Sequence, residues 1–457
     1  MTESYQLTKY PVGTKREFWA LTWPLMLGMI STTFMMFVDR LFLARFDPCA
    51  LNAAASAGMA YLVFLVIPIA IVSVSEVLVG RLHGRGRFTE IGSAAWQMVW
   101  FGLMLTPIFW LIAVWGPSCL FCGTGNEINE TEFFRTMMLF APAQCFMIAI
   151  AGFFIGIGHV QVVTVTAILG NVLNIILDCI LIFGMGSIPA LGVIGAALAT
   201  GAAQVAQFIF LVVLFLRRSN RHIYHTQKYN INRRYLMKGL RIGVPLGLGH
   251  CVEMIAHFLF FRIVISVGFA QMTVVSIVQS LYILISFVID AQSKGSAAII
   301  SNLLGADKRE PIRKVLKSAY ILHLFYFIIF VGAIWFFSDD ILRLFIHKDY
   351  HATLITPEFI QTFMVALLFM GLYFLFDGWA WILMGFLTAS GDTRFVFFVS
   401  LVVQWCAYVF PTFLLIGIEK HGADVAWSII TFMSVMSFVC YFWRYKSGRW
   451  LFTFDHH

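Results

Sequence analysis

Among the polar side chains inside apolar segments of the N-terminal half of the sequence, four could form one site. Asp39 lies in the first apolar run, Asn174 and Asp178 lie in the fifth, and Thr200 lies in the sixth. Asn174 and Asp178 are four residues apart, so a helix places them on one face. Oxygen-rich clusters of this kind bind hard cations or hold protons, which predicts a cation-coupling site. The alternative is that each group makes a single hydrogen bond to a neighbouring helix.

Two further candidate acids lie inside apolar segments of the C-terminal half. Glu253 is near the middle of the seventh run and Asp377 is near the middle of the tenth. His250, Glu253 and His257 recur at i, i+3 and i+7, which places them on one helical face. The imidazoles could form a proton-sensitive patch with the carboxylate, or they could pack with a backbone hydrogen bond. Because an ionisable group inside a span is costly, we predict a substrate site or a second coupling site here.

Aromatic residues flank Asp377 in the sequence. Tyr373, Trp379 and Trp381 all lie within four residues of it. An acidic group beside aromatic rings is an environment that an organic cation favours. We therefore include Trp379 among the candidate substrate-binding residues, although aromatic residues make up 16% of the whole chain and are common everywhere.

These polar groups need a scaffold embedded in lipid, because the chain as a whole is very apolar. Of its 457 residues, 60% are hydrophobic and 12% are charged, whereas soluble proteins average about 25% charged residues. A membrane-spanning helix needs about 20 apolar residues. We therefore predict an all-α membrane protein with twelve transmembrane helices. The predicted spans lie near residues 18–44, 52–80, 92–114, 133–156, 161–184, 192–216, 242–268, 273–303, 316–337, 360–386, 395–418 and 423–443.

Lysine and arginine residues indicate the orientation of the spans. They are concentrated at both ends of the chain and after even-numbered spans, above all in residues 217–241. Cytoplasmic loops carry an excess of Lys and Arg, so we predict that both termini are cytoplasmic. The loops on the opposite side hold only Arg45, Arg343, Lys348 and Lys420. This topology explains the net charge of +8, and we expect no nucleic-acid partner.

The two halves of the sequence resemble each other weakly. Pro24, in WPLMLG, corresponds to Pro245, in VPLGLG, at an offset of 221 residues, and the same offset relates Gly84 to Gly305. We predict two six-helix lobes, residues 1–216 and 242–457, joined by a cytoplasmic basic linker at 217–241. Because six spans return the chain to the same side, the lobes form a parallel pseudo-two-fold repeat, which suits alternating access.

Five segments resemble the multidrug and toxic compound extrusion (MATE) family, and the resemblance extends over essentially the full chain. They are WPLMLGMISTTFMMFVDRLFLARF (23–46), NIILDCILIFG (174–184), GVIGAALAT (192–200), SNLLGADKREPIRK (301–314) and LYFLFDGWAWILMGFLTASGDTR (372–394). The resemblance implies a secondary active efflux transporter. Such a protein exports amphipathic, often cationic compounds in exchange for Na⁺ or H⁺.

The family's functional residues match individual positions of this sequence. The coupling cluster of its N-terminal lobe corresponds to Asp39, Asn174, Asp178 and Thr200. Pro24 matches the proline at which the first helix of the family bends. The NorM-like branch also uses two acids that match Glu253 and Asp377, so the chain combines NorM-like and DinF-like features. One departure is GIGHVQ (156–161), which lacks the arginine and the Gly-Asp-Thr pattern that residues 391–393 keep.

Three other classes share some of these features. A flippase of lipid-linked saccharides from the same superfamily would line its cavity with cations, whereas the intramembrane charges here are mainly acidic. A major facilitator transporter also has twelve spans, but Gly84 replaces the acidic residue that its loop signature requires in GRLHGRGR (80–87). A membrane-embedded enzyme would need a nucleophile, a base or metal ligands that converge at one membrane edge.

The partners of the chain follow from the transporter interpretation. We expect small amphipathic or cationic substrates, the lipid bilayer of the cell (inner or plasma) membrane and a monomeric state. We expect no cofactor, no catalytic residues and no metal other than Na⁺ at the cluster that contains Asp39 and Asp178.

Overall fold

A computed structural model describes residues 6–186, 188–345 and 356–452 of the chain. Within these residues the regular structure is helical, apart from one isolated bridge between Met185 and Ile188. The helices are α1 (Lys15–Phe46), α2 (Pro48–Ser73), α3 (Ser75–Gly84), α4 (Phe88–Leu120), α5 (Glu127–Gly156), α6 (Val160–Phe183), α7 (Gly192–Phe215), α8 (Arg218–Tyr224), α9 (Arg233–Val264), α10 (Phe269–Gly305), α11 (Glu310–Phe336), α12 (Ser338–Phe345), α13 (Pro357–Ser390), α14 (Thr393–Val403) and α15 (Ala423–Lys446). Helix α14 continues through π-helical turns at Gln404–Val409 and Thr412–Ile418.

Twelve helical segments of the described chain are long and apolar enough to cross a membrane. Helices α2 and α3 together form one of them, Pro48–Gly84, and α14 with its π-helical turns forms another, Thr393–Ile418. Each segment corresponds to one predicted span, so the prediction of an all-α protein with twelve spans is confirmed. Lys348, in a loop predicted to face outward, lies outside the described residues.

Large apolar side chains remain exposed along these helices. Phe34, Phe37 and Trp115, for example, are each at least 60% exposed. Contiguous apolar surface of this extent is not stable in water, so these side chains require lipid as their solvent.

Local sequence signals define the ends of α13, the helix that carries Asp377. Thr356 is its N-cap, and the Thr356 hydroxyl accepts a hydrogen bond from the backbone N–H of Phe359 at 3.2 Å. Pro357 occupies the first turn, where its missing N–H costs nothing. Gly391, with φ of 84°, adopts the left-handed conformation that ends the helix. These signals place Asp377 well inside a long helix.

The described chain packs as two compact units. The first contains Trp23–Gly247 and Ser301–Arg309, and the second contains Tyr10–Thr22, Leu248–Ile300 and the described residues from Glu310 onward. The first turns of α1 therefore pack in the second unit, and the rest of α1 packs in the first. The change of unit falls beside Pro24, where the missing backbone N–H weakens the helix. The lobe boundaries at 216 and 242 stay a prediction.

Gly84 and Gly305, which the sequence repeat relates, make a reciprocal close contact within the first unit. A Cβ atom at Gly84 would lie 2.0 Å from the carbonyl oxygen of Asn302, and one at Gly305 would lie 2.2 Å from the carbonyl oxygen of Arg81. Arg81 and Asn302 are themselves separated by the repeat offset. The C-terminal ends of α3 and α10 are thus in contact, and the glycine of each helix faces a backbone carbonyl of the other. This reciprocity supports the pseudo-two-fold repeat and requires glycine at both positions.

The basic linker is fastened to α4 of the first unit. The indole Nε1 of Trp96 donates to the carbonyl oxygen of Thr226 at 2.8 Å, and that of Trp100 donates to the carbonyl oxygen of Tyr229 at 2.7 Å. Gln97, between the two tryptophans, also bonds to the backbone of this segment. The path of the linker is therefore fixed by side chains of α4, and its regular structure consists of the short α8 and the first turns of α9.

Candidate cation and substrate sites

Helices α6 and α7 of the first unit bring three of the N-terminal polar residues together. The amide of Asn174 lies between the carboxylate of Asp178 and the backbone of Thr200. With the amide oriented so that its nitrogen faces the carboxylate, Nδ2 donates to Asp178 Oδ2 at 3.0 Å and Oδ1 accepts from the Thr200 backbone N–H at 3.2 Å. Asn174 and Asp178 are both buried. The helical face expected from the four-residue spacing therefore meets α7.

Asp39 of α1 completes this cluster. It lies close enough to Asp178 for the two carboxylates to repel each other electrostatically. One oxygen of each, Oδ1, is buried and has no hydrogen-bond partner within the described residues. Buried carboxylate oxygens are normally satisfied by donors or by a cation. Two carboxylates, an amide oxygen and a hydroxyl supply the oxygen ligands that a small hard cation prefers.

A second polar contact links α1 to α6, and the sequence analysis missed it. Asn171, three residues before Asn174, donates from Nδ2 to Ser31 Oγ at 3.0 Å and to Thr32 Oγ1 at 3.2 Å. The two hydroxyls lie on the stretch of α1 between its proline and its aspartate. Serine and threonine are frequent in membrane helices, so their presence in an apolar run gives no signal of this contact.

The second unit contains a cavity of about 200 Å³ that Glu253 and Asp377 both line. Its other polar and aromatic lining residues are His257, Tyr282, Tyr373, Trp381, Gln404, Ser437 and Tyr441. Lysine and arginine are absent from the described lining. Drug-sized ligands need about 300–1,000 Å³, so this volume suits a substituted ammonium group rather than a whole drug molecule. Negative charge next to aromatic rings favours such a cation.

Both carboxylate oxygens of Glu253 have polar partners. His250 Nδ1 donates to Oε2 at 3.1 Å, and Ser400 Oγ donates to Oε1 at 3.3 Å. His257 Nδ1 instead donates to the backbone carbonyl oxygen of Glu253 at 3.0 Å. The two histidines therefore differ in role. A protonated His250 can neutralise Glu253, whereas His257 satisfies a backbone group and presents its ring to the cavity.

Asp377 has a different set of neighbours. It is buried on α13, and Tyr282 Oη of α10 donates to its Oδ2 at 2.7 Å. Within the described chain, no lysine, arginine or histidine forms an ion pair with it. Its hydrogen-bond donors are thus neutral, the Tyr282 phenol and the Trp381 indole, whereas Glu253 has an imidazole that can carry a positive charge. Tyr282 was missed by the sequence analysis, because it lies far from Asp377 in the chain.

The aromatic residues near Asp377 lie on two faces of α13. Tyr373 and Trp381 line the cavity. Trp379 does not, and its ring packs against Tyr320 with the centroids 5.7 Å apart. Successive helical residues are rotated by about 100°, so positions four residues before and after Asp377 share its face and the position two residues after it does not. Trp379 therefore contributes to helix packing rather than to this cavity.

A chain of twelve spanning helices with buried carboxylates in two places has the architecture of a polytopic membrane transporter. The family model MatE matches residues 24–180 and 245–412. The two matched segments begin at Pro24 and Pro245, the prolines that the repeat relates. The chain belongs to the MatE family of transporters, as its sequence predicted, and the major facilitator alternative is excluded.

Curated relatives cover most of the chain. It is 23% identical to the Probable multidrug resistance protein NorM of Pseudomonas aeruginosa over 417 residues, 89% of this chain and 84% of that protein. The corresponding protein of Thermotoga maritima is 22% identical and covers 95% of this chain and 93% of its own length. The Uncharacterized transporter YisQ of Bacillus subtilis is 21% identical and covers 90% of both chains.

Solved structures share the fold. A MOP superfamily transporter from Pyrococcus furiosus superposes with a TM-score of 0.86 at 18% identity and covers 98% of both chains. An outward-facing multidrug resistance MATE family transporter superposes with a TM-score of 0.85 at 18% identity, over 98% of this chain and 99% of the other. At this identity the likeness shows a common fold and nothing about substrates.

Proposed function

We propose that this protein is a secondary active efflux transporter that exports amphipathic, often cationic organic compounds in exchange for Na⁺ or H⁺. One observation supports this most directly. In the first unit two carboxylates, Asp39 and Asp178, are neighbours, and each has a buried oxygen without a hydrogen-bond partner in the described chain. Such a pair has a strong preference for binding a cation or a proton. Relatives named as multidrug resistance proteins agree with the proposal.

The coupling step follows from electrostatics. Without an ion, the carboxylates of Asp39 and Asp178 repel each other across a poorly screened space. A bound Na⁺ or proton removes this repulsion and draws Asp39 of α1 toward α6. Because α1 is weakest at Pro24, we propose that it bends there as the ion binds and leaves. An ion shifts such an equilibrium only through different affinities for the two states.

The substrate step is assigned to the cavity of the second unit. The cationic group of a substrate would enter this cavity and lie against Asp377, Tyr373 and Trp381. Its larger apolar part would extend beyond the cavity, because about 200 Å³ holds only a head group. Glu253 contributes less attraction, since a protonated His250 beside it offsets its charge.

We further propose that the protein lies in the cell (inner or plasma) membrane as a monomer with both termini in the cytoplasm. The concentration of lysine and arginine in the linker and at the chain ends supports this orientation.

Transport by purified protein in proteoliposomes tests the coupling. Efflux of a fluorescent organic cation is measured under a Na⁺ gradient alone and under a pH gradient alone. Asp39→Asn and Asp178→Asn should each abolish gradient-driven efflux while the folded protein remains in the membrane. Asp340→Asn, which removes the same charge at an exposed position of α12, is the matched control. Efflux that survives in both cluster variants with unchanged ion dependence would move coupling to Glu253 and Asp377.

Binding by purified protein tests the substrate site. Choline and its neutral isostere 3,3-dimethyl-1-butanol have nearly the same shape and differ in charge. A unit charge 4 Å away is worth about 4 kcal/mol at an intermediate dielectric, before desolvation is subtracted. Asp377→Asn should therefore weaken choline binding about tenfold or more and hardly affect the alcohol. Glu253→Gln should weaken it less, and equal losses for choline and the alcohol would show a structural role instead.

A further inference from the structure

We propose that Tyr282 is a positioning residue that keeps Asp377 ionised and aimed into the cavity, and so sets the pH range over which cations bind. This inference rests on the proposed function, in which Asp377 receives the cationic group of the substrate. The hydroxyl of Tyr282 bonds to Asp377, so the effect proposed for Tyr282 depends on the presence of that carboxylate.

The position of Tyr282 is fixed by two contacts. Its hydroxyl donates to Asp377 Oδ2 at 2.7 Å, and its ring lies against the ring of Tyr373, with the centroids 4.6 Å apart and the planes at 44°. Tyr373 lies one turn before Asp377 on α13, so both contacts are made with the same face of that helix. The phenol therefore approaches Oδ2 of the carboxylate from a constrained direction.

The chemistry of a phenol suits this task. Its single proton is donated to Asp377, and a hydrogen bond to an ionised carboxylate is roughly twice as strong as one between neutral groups. Protonation of Asp377 would weaken this bond, so Tyr282 favours the charged form over the neutral one. A substrate cation and a proton compete for the same carboxylate. Because Tyr282 makes protonation of Asp377 less favourable, the cation continues to bind at lower pH.

Other titratable groups around Asp377 do not supply this effect. The groups that face it from the packed helices are Glu253 and His257 of α9, Asp290 of α10, Tyr441 of α15 and Tyr373 of its own helix, and His323 of α11 packs on the adjacent turn. The acids among them oppose ionisation by repulsion. Neither His257 nor His323 bonds to the carboxylate, since each bonds to a backbone carbonyl instead. The direct donors to the carboxylate are the Tyr282 hydroxyl and the Trp381 indole, and Tyr282 is the titratable one of the two.

The second unit also offers a matched control. Tyr408 is fully buried and its ring stacks on Phe260, with the centroids 5.1 Å apart. Its hydroxyl has no hydrogen-bond partner within the described residues, and it does not line the cavity. Tyr408→Phe therefore removes a buried phenol hydroxyl of the same kind without removing a bond to an acid.

The test is choline binding to the purified full-length protein by titration calorimetry between pH 5 and pH 9. A hydrogen bond to a charged group contributes about 1.5–3 kcal/mol, which corresponds to roughly a tenfold loss of affinity or more. We expect Tyr282→Phe to lower the affinity for choline by this factor near neutral pH. As the pH rises, its affinity should approach that of the unmodified protein. Tyr408→Phe should keep the original pH profile. A Tyr282→Phe loss that is the same at every pH would overturn the inference.

Two further measurements separate this inference from the proposed function. In an Asp377→Asn background, Tyr282→Phe should reduce the affinity for choline little further. Additive losses of affinity would contradict a role through Asp377. Incorporation of 3-fluorotyrosine at position 282 makes a stronger donor, so the pH profile should move the opposite way, to lower pH. If Asp377→Asn alone leaves choline binding intact, the substrate assignment fails together with the inference. If only the Tyr282 profile is unchanged, the inference alone fails.

Discussion

Gly305→Ala would test whether α3 and α10 end as closely against each other as the structure shows. A Cβ atom at this position would lie 2.2 Å from the carbonyl oxygen of Arg81 and 3.0 Å from its Cα atom. Non-bonded heavy atoms in contact are ordinarily about 3.5 Å apart. The two backbones must therefore separate by roughly 1 Å. Because the obstacle is backbone, no change of side-chain rotamer can relieve it.

The expected magnitude follows from this overlap. Overpacking of a close contact typically costs about 1–3 kcal/mol, which is a factor of roughly 5 to 150 in the equilibrium between packed and separated helix ends. Gly332→Ala is the control, because no atom lies within 4 Å of a Cβ atom placed there. Alanine at that site of α11 should only improve helix propensity, by about 1 kcal/mol at most.

Thiol labelling measures the separation. Ser301 is fully buried, and its hydroxyl lies against Gly80 of α3. Ser301→Cys, in a chain whose eight native cysteines are replaced, should react slowly with a membrane-permeant maleimide. Gly305→Ala should raise the labelling rate by roughly the factor above, and Gly84→Ala should do the same because the contact is reciprocal. Equal rates in Gly305→Ala and Gly332→Ala would refute the close contact.

Three further predictions concern other parts of the molecule. Burial raises the pKa of Asp392 and its bond to Arg444 at 2.6 Å lowers it, so Arg444→Ala should cost about 3 kcal/mol of stability at neutral pH. This loss should shrink as the pH falls, because a protonated Asp392 needs no cation, and equal melting-temperature losses at pH 5 and pH 8 would contradict this. A cysteine at Lys228 should be labelled only in permeabilised cells and one at Lys420 from outside; the reverse pattern would overturn the orientation. Trp379→Phe should leave choline affinity within roughly twofold, since its ring does not line the cavity, and a larger loss would return it to the site.

Much of the fold could be predicted from the sequence. Twelve apolar runs became twelve spanning helices, because in lipid every backbone polar group must be satisfied within the segment and only helices or closed barrels achieve this. The repeat that relates Pro24 to Pro245 and Gly84 to Gly305 could also be recognised, because proline and glycine mark backbone requirements directly. The structure supplied the reason for the glycine pair, which is the reciprocal contact of two helix ends.

The sequence also identified the acids of both sites. An aspartate or glutamate in an apolar span is expensive, so its presence alone marks a functional position. The four-residue spacing of Asn174 and Asp178 fixed their common face. The sequence also grouped Asp39 with Asp178 in one predicted site, and the packing of α1 brings the two carboxylates close enough to repel each other.

What the tertiary structure alone decided is which uncharged residues surround those acids. Tyr282 donates a hydrogen bond to Asp377, and Ser400 donates one to Glu253. Trp379, which is much nearer to Asp377 in sequence, packs against Tyr320 instead. In a soluble helix the polar face shows which side points outward, and the apolar face points inward. In lipid both faces are apolar, so hydrophobic periodicity does not distinguish the side that meets the cavity from the side that meets the bilayer. A charged residue in an apolar span can be recognised as functional from its type alone. An uncharged partner can be recognised only from the way the helices pack.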